Sequence, residues 1–313
     1  MEEIKMRATR EAYGDAILEL GAANRDIYVI DCDVGKSCKT VPFSQRFPDQ
    51  YVNVGIAEGN AAAMAAGLAT CGKIPFVTTY AVFGSMRMCE QIRQMICYPR
   101  LNVKIACSHG GLTPANDGAT HQGIEDMGIM RSLPNMSVVM GCDYVSSKKL
   151  IKAAAELYGP VYLRFTRDPV PMIYHESASF TIGKANTLRS GGDLTIIANG
   201  DAVCIALRAA DILREKGVAA TVLDMHTVKP IDREAVIEAL ARNGRIMTVE
   251  DHSLINGLGS AVSEIVAAEG YGRVCSVGIP DSFGESGPYQ WLLEKFGITA
   301  ENLVLQAERL MKK

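Results

Sequence analysis

The sequence predicts an α/β protein built from two α/β domains. Three observations carry that reading. Short β-branched runs alternate with helical runs up to about position 168. The alternation breaks over 168–192, at the Pro-containing stretch "RDPVPMIYHESASF" and the turn "LRSGGD". A second alternation begins at "LTIIANG" and closes at "VCSVGI". Repeated βαβα order implies a mostly parallel sheet with helices on both faces. The domains are expected over residues 1–175 and 185–313.

In the first unit, "RATREAYGDAILELGAANRD" carries apolar residues at helical spacing, with Gly21 and Asn24 as stop signals. "IYVIDCD" reads as a buried strand. "EGNAAAMAAGLATCG" is a small-residue helix ending near Gly72, "KIPFVTTY" a strand and "FGSMRMCEQIRQMICY" a helix. The strand "NVKIACSH" leads into a long Gly-rich loop, "GGLTPANDGATHQG". "EDMGIMRSLP" is helical, "MSVVMGCD" a strand, "YVSSKKLIKAAAELYG" a helix and "VYLRFT" a strand. In the second unit the helices are "AVCIALRAADILREKG", "DREAVIEALARNG" and "GSAVSEIVAAEG", and "VAATVLDM" and "RIMTVED" are strands.

Composition narrows the class of function. The 313 residues are 48% hydrophobic, enough for a core in each domain, and the formal net charge is −3. That balance argues against nucleic-acid binding, which needs a basic stripe to neutralise phosphates. No apolar stretch approaches the ~20 residues that span a bilayer. The opening "MEEIKMRATR" lacks the apolar region of a signal peptide, so a soluble, cytoplasmic protein is expected. The nine cysteines form no C-x-x-C pair. They read as reduced, buried thiols, and no metal site is expected from this chain.

In open α/β sheets ligands bind at the carboxyl ends of the strands. Ser37 follows "IYVIDCD"; Tyr80 and Phe83 follow "IPFVTT"; His109 follows "VKIACS", with Asp117 and His121 in the next loop; Arg167 follows "VYLRFT". Loops carry polar residues cheaply, so each alone says little; their recurrence at one sheet edge is the signal. Two readings stay open for Glu58, at the head of the apolar helix. It is a first-turn anion favoured by the helix dipole, or a desolvated acid that donates to a ring nitrogen. Arg10 sits at a helix start, where a cation is mildly unfavourable. "INGLGSAV" lacks full dinucleotide-loop spacing and reads as a tight turn into a helix.

The stretches "YVNVGIAEGNAAAMAAGLATCGKIPFVTTYAVFGSMRMCEQIR" and "KIACSHGGLTPANDGATHQGIEDMGIMRSLPNMSVV" resemble the pyrimidine-binding domain of transketolases. "VLDMHTVKPID" and "RIMTVEDHSLINGLGSAV" resemble the third domain of the same family. The similarity covers nearly the whole chain but only the second half of a full-length transketolase. The family's diphosphate-holding half carries a G-D-G motif, absent from this sequence. The resemblance therefore implies the C-terminal subunit of a split transketolase. Its cofactor would be thiamine diphosphate with Mg²⁺, whose ligands come from a separate N-terminal subunit in a heterotetramer.

By that resemblance Glu58 bonds the aminopyrimidine ring nitrogen and promotes the tautomer that activates the cofactor. Phe83 and Tyr80 match the aromatics at that ring. Met86 stands where a third aromatic is usual. His109 and His121 match histidines that touch substrate and assist proton transfer, and Asp117 matches the reader of a donor hydroxyl. Arg10, Ser37, His109 and Arg167 match the group receiving a sugar phosphate, a role equally suited to a sulfonate. Asn116 replaces the usual acid before Asp117. The implied activity is transfer of a two-carbon ketol unit from an anionic ketose to an aldose. The nearest alternative is the beta subunit of a thiamine-dependent 2-oxoacid dehydrogenase. A deoxyxylulose phosphate synthase fits less well, since it carries both halves in one chain. A non-catalytic scaffolding role is disfavoured by the presence of Glu58 and both loop histidines.

Overall fold

A computed structural model describes residues 5–312. Residues 1–4 and Lys313, at the outer ends of the two expected domains, lie outside the described residues; so does the start of the charged opening segment. Strands are numbered in chain order. β1 (Met6–Arg7) and β8 (Val170–Pro171) form an antiparallel ribbon.

The larger sheet holds β2 (Ile27–Asp31), β3 (Tyr51–Asn53), β4 (Ile74–Tyr80), β5 (Lys104–Ser108), β6 (Ser137–Val139), β7 (Val161–Arg164) and β12 (Thr227–Lys229). Its order is β12-β6-β7-β5-β4-β2-β3. The smaller sheet holds β9 (Asn186–Arg189), β10 (Leu194–Ala198), β11 (Ala220–Asp224), β13 (Arg245–Ser253) and β14 (Arg273–Ile279), in the order β14-β13-β10-β11-β9. Both sheets are parallel except at one edge, β12 in the first and β9 in the second. Two α/β domains result.

The central strands are buried on both faces, which is why "IYVID", "KIACS" and "LTIIA" read as unbroken runs. One face of the larger sheet packs around Ala61, Ala65, Val77, Ile92 and Ile105, the other around Tyr13, Ile17, Phe76 and Leu163. The helix Glu58–Thr70 fits the first face because Ala61, Ala62, Ala65 and Ala66 add almost no bulk between its backbone and the sheet.

The structure differs from the sequence reading in several elements. The expected helix at 83–98 is three pieces: Ala81–Met86, Cys89–Gln91 and a π-helical turn, Ile92–Cys97. Met88, Ile92 and Ile96 stay buried at a spacing of four throughout, so the apolar pattern conceals the change in hydrogen bonding. Gly21 lies inside the first helix, Thr9–Ala23, and Asn24 follows its end. A Cβ at Gly21 would meet Phe43 at 2.5 Å, so close packing explains that glycine. The second half lends β12 to the first sheet, a strand too short for its period to show. The terminal helices Tyr289–Lys295 and Ala300–Lys312 complete the second domain.

No disulfide is present among the described residues. Cys32, Cys38, Cys97, Cys107 and Cys142 are buried, whereas Cys71 is exposed, which corrects the expectation of uniformly buried thiols. No helix among the described residues is long and apolar enough to cross a membrane.

Candidate active site

Four of the predicted positions stand at or beyond the ends of four adjacent parallel strands. β7, β5, β4 and β2 are neighbours in that order. Arg167 follows β7, His109 follows β5, Tyr80 ends β4, and Ser37 lies in the short helix Gly35–Cys38 that follows β2. The sheet therefore delivers them side by side at its carboxyl edge.

Their contacts form an aromatic cluster with two cationic groups acting on it. The Tyr80 and His109 rings stack with centroids 3.8 Å apart. Tyr80 lies 5.8 Å from Phe83, and His121 meets the Phe83 ring edge-on at 5.5 Å. Burial raises the pKa of the Tyr80 hydroxyl, and the Ser37 side chain beside it opposes that shift. Arg10 donates through Nη1 to the Ser37 carbonyl at 3.1 Å. Arg167 pairs with Asp168 at 3.2 Å and with Asp117 at 3.6 Å. The rings of Tyr80, Phe83, His109 and His121 cluster, the charges of Arg10 and Arg167 act on His109, and Glu58 is joined to Phe83 through Arg87.

Glu58 is the first residue of its helix and only 5% exposed. No side chain caps that helix; the Glu58 carboxylate accepts from Arg87 Nη1 at 2.9 Å. The Arg87 guanidinium also lies over the Phe83 ring, 4.1 Å from its centroid. Met86, beside it in the chain, is exposed.

His109 has φ of +64°, a region costly for any residue but glycine. Its Nδ1 lies 2.6 Å from the Ser108 hydroxyl. Burial, then the charges of Arg10, Arg167 and His121, push its pKa down to about 3. The ring is therefore neutral near pH 7. Arg10 is held below its ordinary value by burial and by Arg167. Its buried Nε has no hydrogen-bond partner among the described residues. Two guanidiniums that oppose each other beside an unsatisfied donor form a place for an anion.

The loop from His109 to His121 is held from the second domain. Leu112 N–H donates to both oxygens of Asp251, at 3.1 and 2.9 Å. Arg164 Nη2 bridges the carbonyls of Gly123 (2.8 Å) and Asp251 (3.0 Å), and its Nε pairs with Asp126 at 3.0 Å. Gln122 donates to the Glu285 carbonyl and the Ser286 hydroxyl to that of Asn116. A Cβ at Gly111 would sit 2.2 Å from Asp251, and one at Gly110 2.3 Å from Arg164. These glycines let the loop press on its supports. Arg164 and Asp251 hold this loop and are missed by sequence reasoning, although a charge within the apolar run "VYLRFT" is a visible signal.

The turn "INGLGSAV" is closed by its own chain. Glu250 accepts from Leu258 N–H at 2.7 Å and Gly259 N–H at 2.8 Å, occupying the helix start a phosphate would need.

Comparison with known proteins agrees with this architecture. Residues 5–172 match the family described as "Transketolase, pyrimidine binding domain", and residues 183–303 match "Transketolase, C-terminal domain". The 6-deoxy-6-sulfo-D-fructose transketolase subunit SqwH of Clostridium sp. is 40% identical over 97% of this chain and 94% of its own. An apulose-4-phosphate transketolase subunit of Phocaeicola vulgatus is 39% identical over 98% of this chain and 99% of its own. A solved structure titled "Split gene transketolase, inactive beta4 tetramer" superposes with a TM-score of 0.90 at 46% identity, covering 97% of this chain and 98% of that one. The chain belongs to the transketolase family, as a subunit-length relative made of its pyrimidine-binding and C-terminal domains.

Proposed function

We propose that this chain is the C-terminal subunit of a split transketolase. With a separate N-terminal subunit, in a heterotetramer, it moves a two-carbon ketol unit from an anionic ketose to an aldose. The observation that carries this reading is the placement of buried Glu58 within one guanidinium's span of the Phe83 ring, with His109, His121, Arg10 and Arg167 beyond. The names of the two subunit relatives, one acting on a sulfonated sugar and one on a phosphorylated sugar, support an anionic substrate.

The residues fit the aminopyrimidine end of thiamine diphosphate: a buried carboxylate suits a ring nitrogen, and a half-buried aromatic face takes a planar heterocycle. As the resemblance implies, Mg²⁺ and the diphosphate are assigned to the partner. When bound, thiamine diphosphate supplies the nucleophilic carbon and the electron sink that breaking a carbon–carbon bond beside a carbonyl requires.

The chain's own residues then take these parts. Glu58 bonds and orients the ring, while Phe83 and Tyr80 pack against it and exclude water. Neutral His109, with Nδ1 taken up by Ser108, moves a proton at Nε2, and His121 assists. Arg10, Ser37 and Arg167 hold the anionic end of the sugar. Asp117, next to Arg167, reads a donor hydroxyl. The test is ketol transfer by the reconstituted pair with phosphorylated, sulfonated and neutral ketoses. Turnover of anionic ketoses by the pair, and none by either chain alone, is expected. Decarboxylation of a 2-oxoacid instead would point to the dehydrogenase reading.

A further inference from the structure

Arg87 makes both contacts that the proposed function gives to the aminopyrimidine ring. Its Nη1 donates to Glu58 Oε1 at 2.9 Å, and its guanidinium lies 4.1 Å from the Phe83 centroid. A guanidinium is planar and delocalised, offers N–H donors to carboxylates and stacks on aromatic faces. An aminopyrimidine is planar too, bonds a carboxyl through its ring nitrogen and stacks on the same kind of face. A ring stacked on the Phe83 face that Arg87 covers, with its nitrogen at Glu58, would occupy the space the guanidinium fills.

We propose that Arg87 is a built-in surrogate for the aminopyrimidine: it fills the ring's seat in the cofactor-free chain and leaves it when the ring enters. The proposal rests on Glu58 and Phe83 being that seat. The two partners differ in what they need. Glu58 is 5% exposed, so a carboxylate there without a partner is costly. Arg87 is 51% exposed, and its long stem can carry the charged end into water at little cost. The ion pair therefore matters to the acid and is dispensable to the base. A site of this kind keeps its buried acid satisfied until the cofactor arrives, and the affinity observed for the cofactor is lowered by the fraction of chains in which Arg87 sits inward.

The test is calorimetry of thiamine diphosphate with Mg²⁺ on the assembled pair, carrying this chain as wild type, Arg87→Ala, Arg87→Gln or Glu58→Gln. Thermal midpoints of the cofactor-free chains are measured alongside. Both Arg87 variants should bind about tenfold more tightly, as expected when an inward population of about nine in ten is abolished. Their cofactor-free chains should melt earlier than wild type. Unchanged or weaker binding by both Arg87 variants overturns the surrogate. Arg87→Gln keeps much of the stem, so it decides the matter if Arg87→Ala does not fold. The Glu58→Gln arm separates the two claims. If it leaves affinity unchanged, the seat itself is wrongly assigned. If it weakens binding while the Arg87 variants fail to tighten it, the seat stands and the surrogate alone falls.

Discussion

The imidazole of His109 stacks on the ring of Tyr80 at 3.8 Å between centroids, from the ends of two adjacent parallel strands. That contact, the Ser108 hydroxyl at Nδ1 and a left-handed backbone hold the ring in one orientation. A non-glycine residue in that region costs of order 1–3 kcal/mol and persists where its surroundings over-determine it. Here the surroundings are an aromatic face, a hydroxyl and two guanidiniums.

The depressed pKa of His109, about 3, makes a stability prediction with a definite sign. In the unfolded chain a histidine takes up a proton near pH ~6.5. The folded chain does so only near pH 3, so His109 costs stability as pH falls through that window. The slope reaches at most about 1.4 kcal/mol per pH unit. Buried Asp224, raised to about 7, acts in the opposite direction over part of the range, so the informative quantity is a difference. Urea unfolding of wild type and His109→Gln between about pH 4 and 7 should show a shallower acid-side loss in the variant. Identical slopes would mean that His109 is already charged in the folded chain.

Glu58→Gln keeps an oxygen acceptor for Arg87 and should leave the fold intact. Turnover of the reconstituted enzyme should fall by about 10²- to 10⁴-fold, the range for loss of a positioned acid–base group. Near-normal rates with an unchanged melting midpoint would remove Glu58 from its proposed role.

Arg167 is two-thirds buried and already paired with two carboxylates, so an anionic sugar must compete for it. Arg167→Ala should raise KM for an anionic ketose by about tenfold or more, with a smaller effect on kcat. An unphosphorylated, unsulfonated analogue should be nearly indifferent. Equal losses for both would show that Arg167 does not read the anion.

How much of the site is legible in the residues alone differs from one position to the next. The alternating runs indicate the α/β class, and "GIAEGNAAAMAAG" with "HGGLTPANDGATHQG" indicates the family. Ser37, Tyr80, His109 and Arg167 are legible because polar residues recurring at strand ends follow one edge of one sheet. Arg87 is not, since an arginine in an amphipathic run looks like any exposed cation until the turn of the helix aims it back at Glu58. Asp251 is hidden for a different reason: it lies 139 positions from Leu112, whose amide it holds. The strand Thr227–Lys229 escapes a pattern search because three residues show no period. The last helix is readable from Leu303, Val304, Ala307 and Leu310, which recur at helical spacing and are all buried.

Asp251 yields a prediction that separates support from chemistry. Burial and neighbouring Asp201 push its carboxyl well above the usual range. The isosteric asparagine amide keeps one oxygen acceptor for the Leu112 N–H. Asp251→Asn should therefore be tolerated within about 1 kcal/mol, whereas Asp251→Ala should cost about 1–3 kcal/mol by stranding the Leu112 N–H. Hydrogen exchange across residues 110–123 should accelerate in the alanine variant and not in the asparagine one. Equal exchange in both variants would release Asp251 from its role in holding the loop.

The central claim is that this chain forms half of a cofactor site. The most direct measurement is calorimetry of the purified chain with thiamine diphosphate and Mg²⁺, first alone and then after adding the N-terminal subunit. No heat of binding is expected from the chain alone, and saturable, Mg²⁺-dependent binding is expected once the partner is present. Tight Mg²⁺-dependent binding to the chain alone would contradict the claim, because the diphosphate would then have a complete seat within these 313 residues.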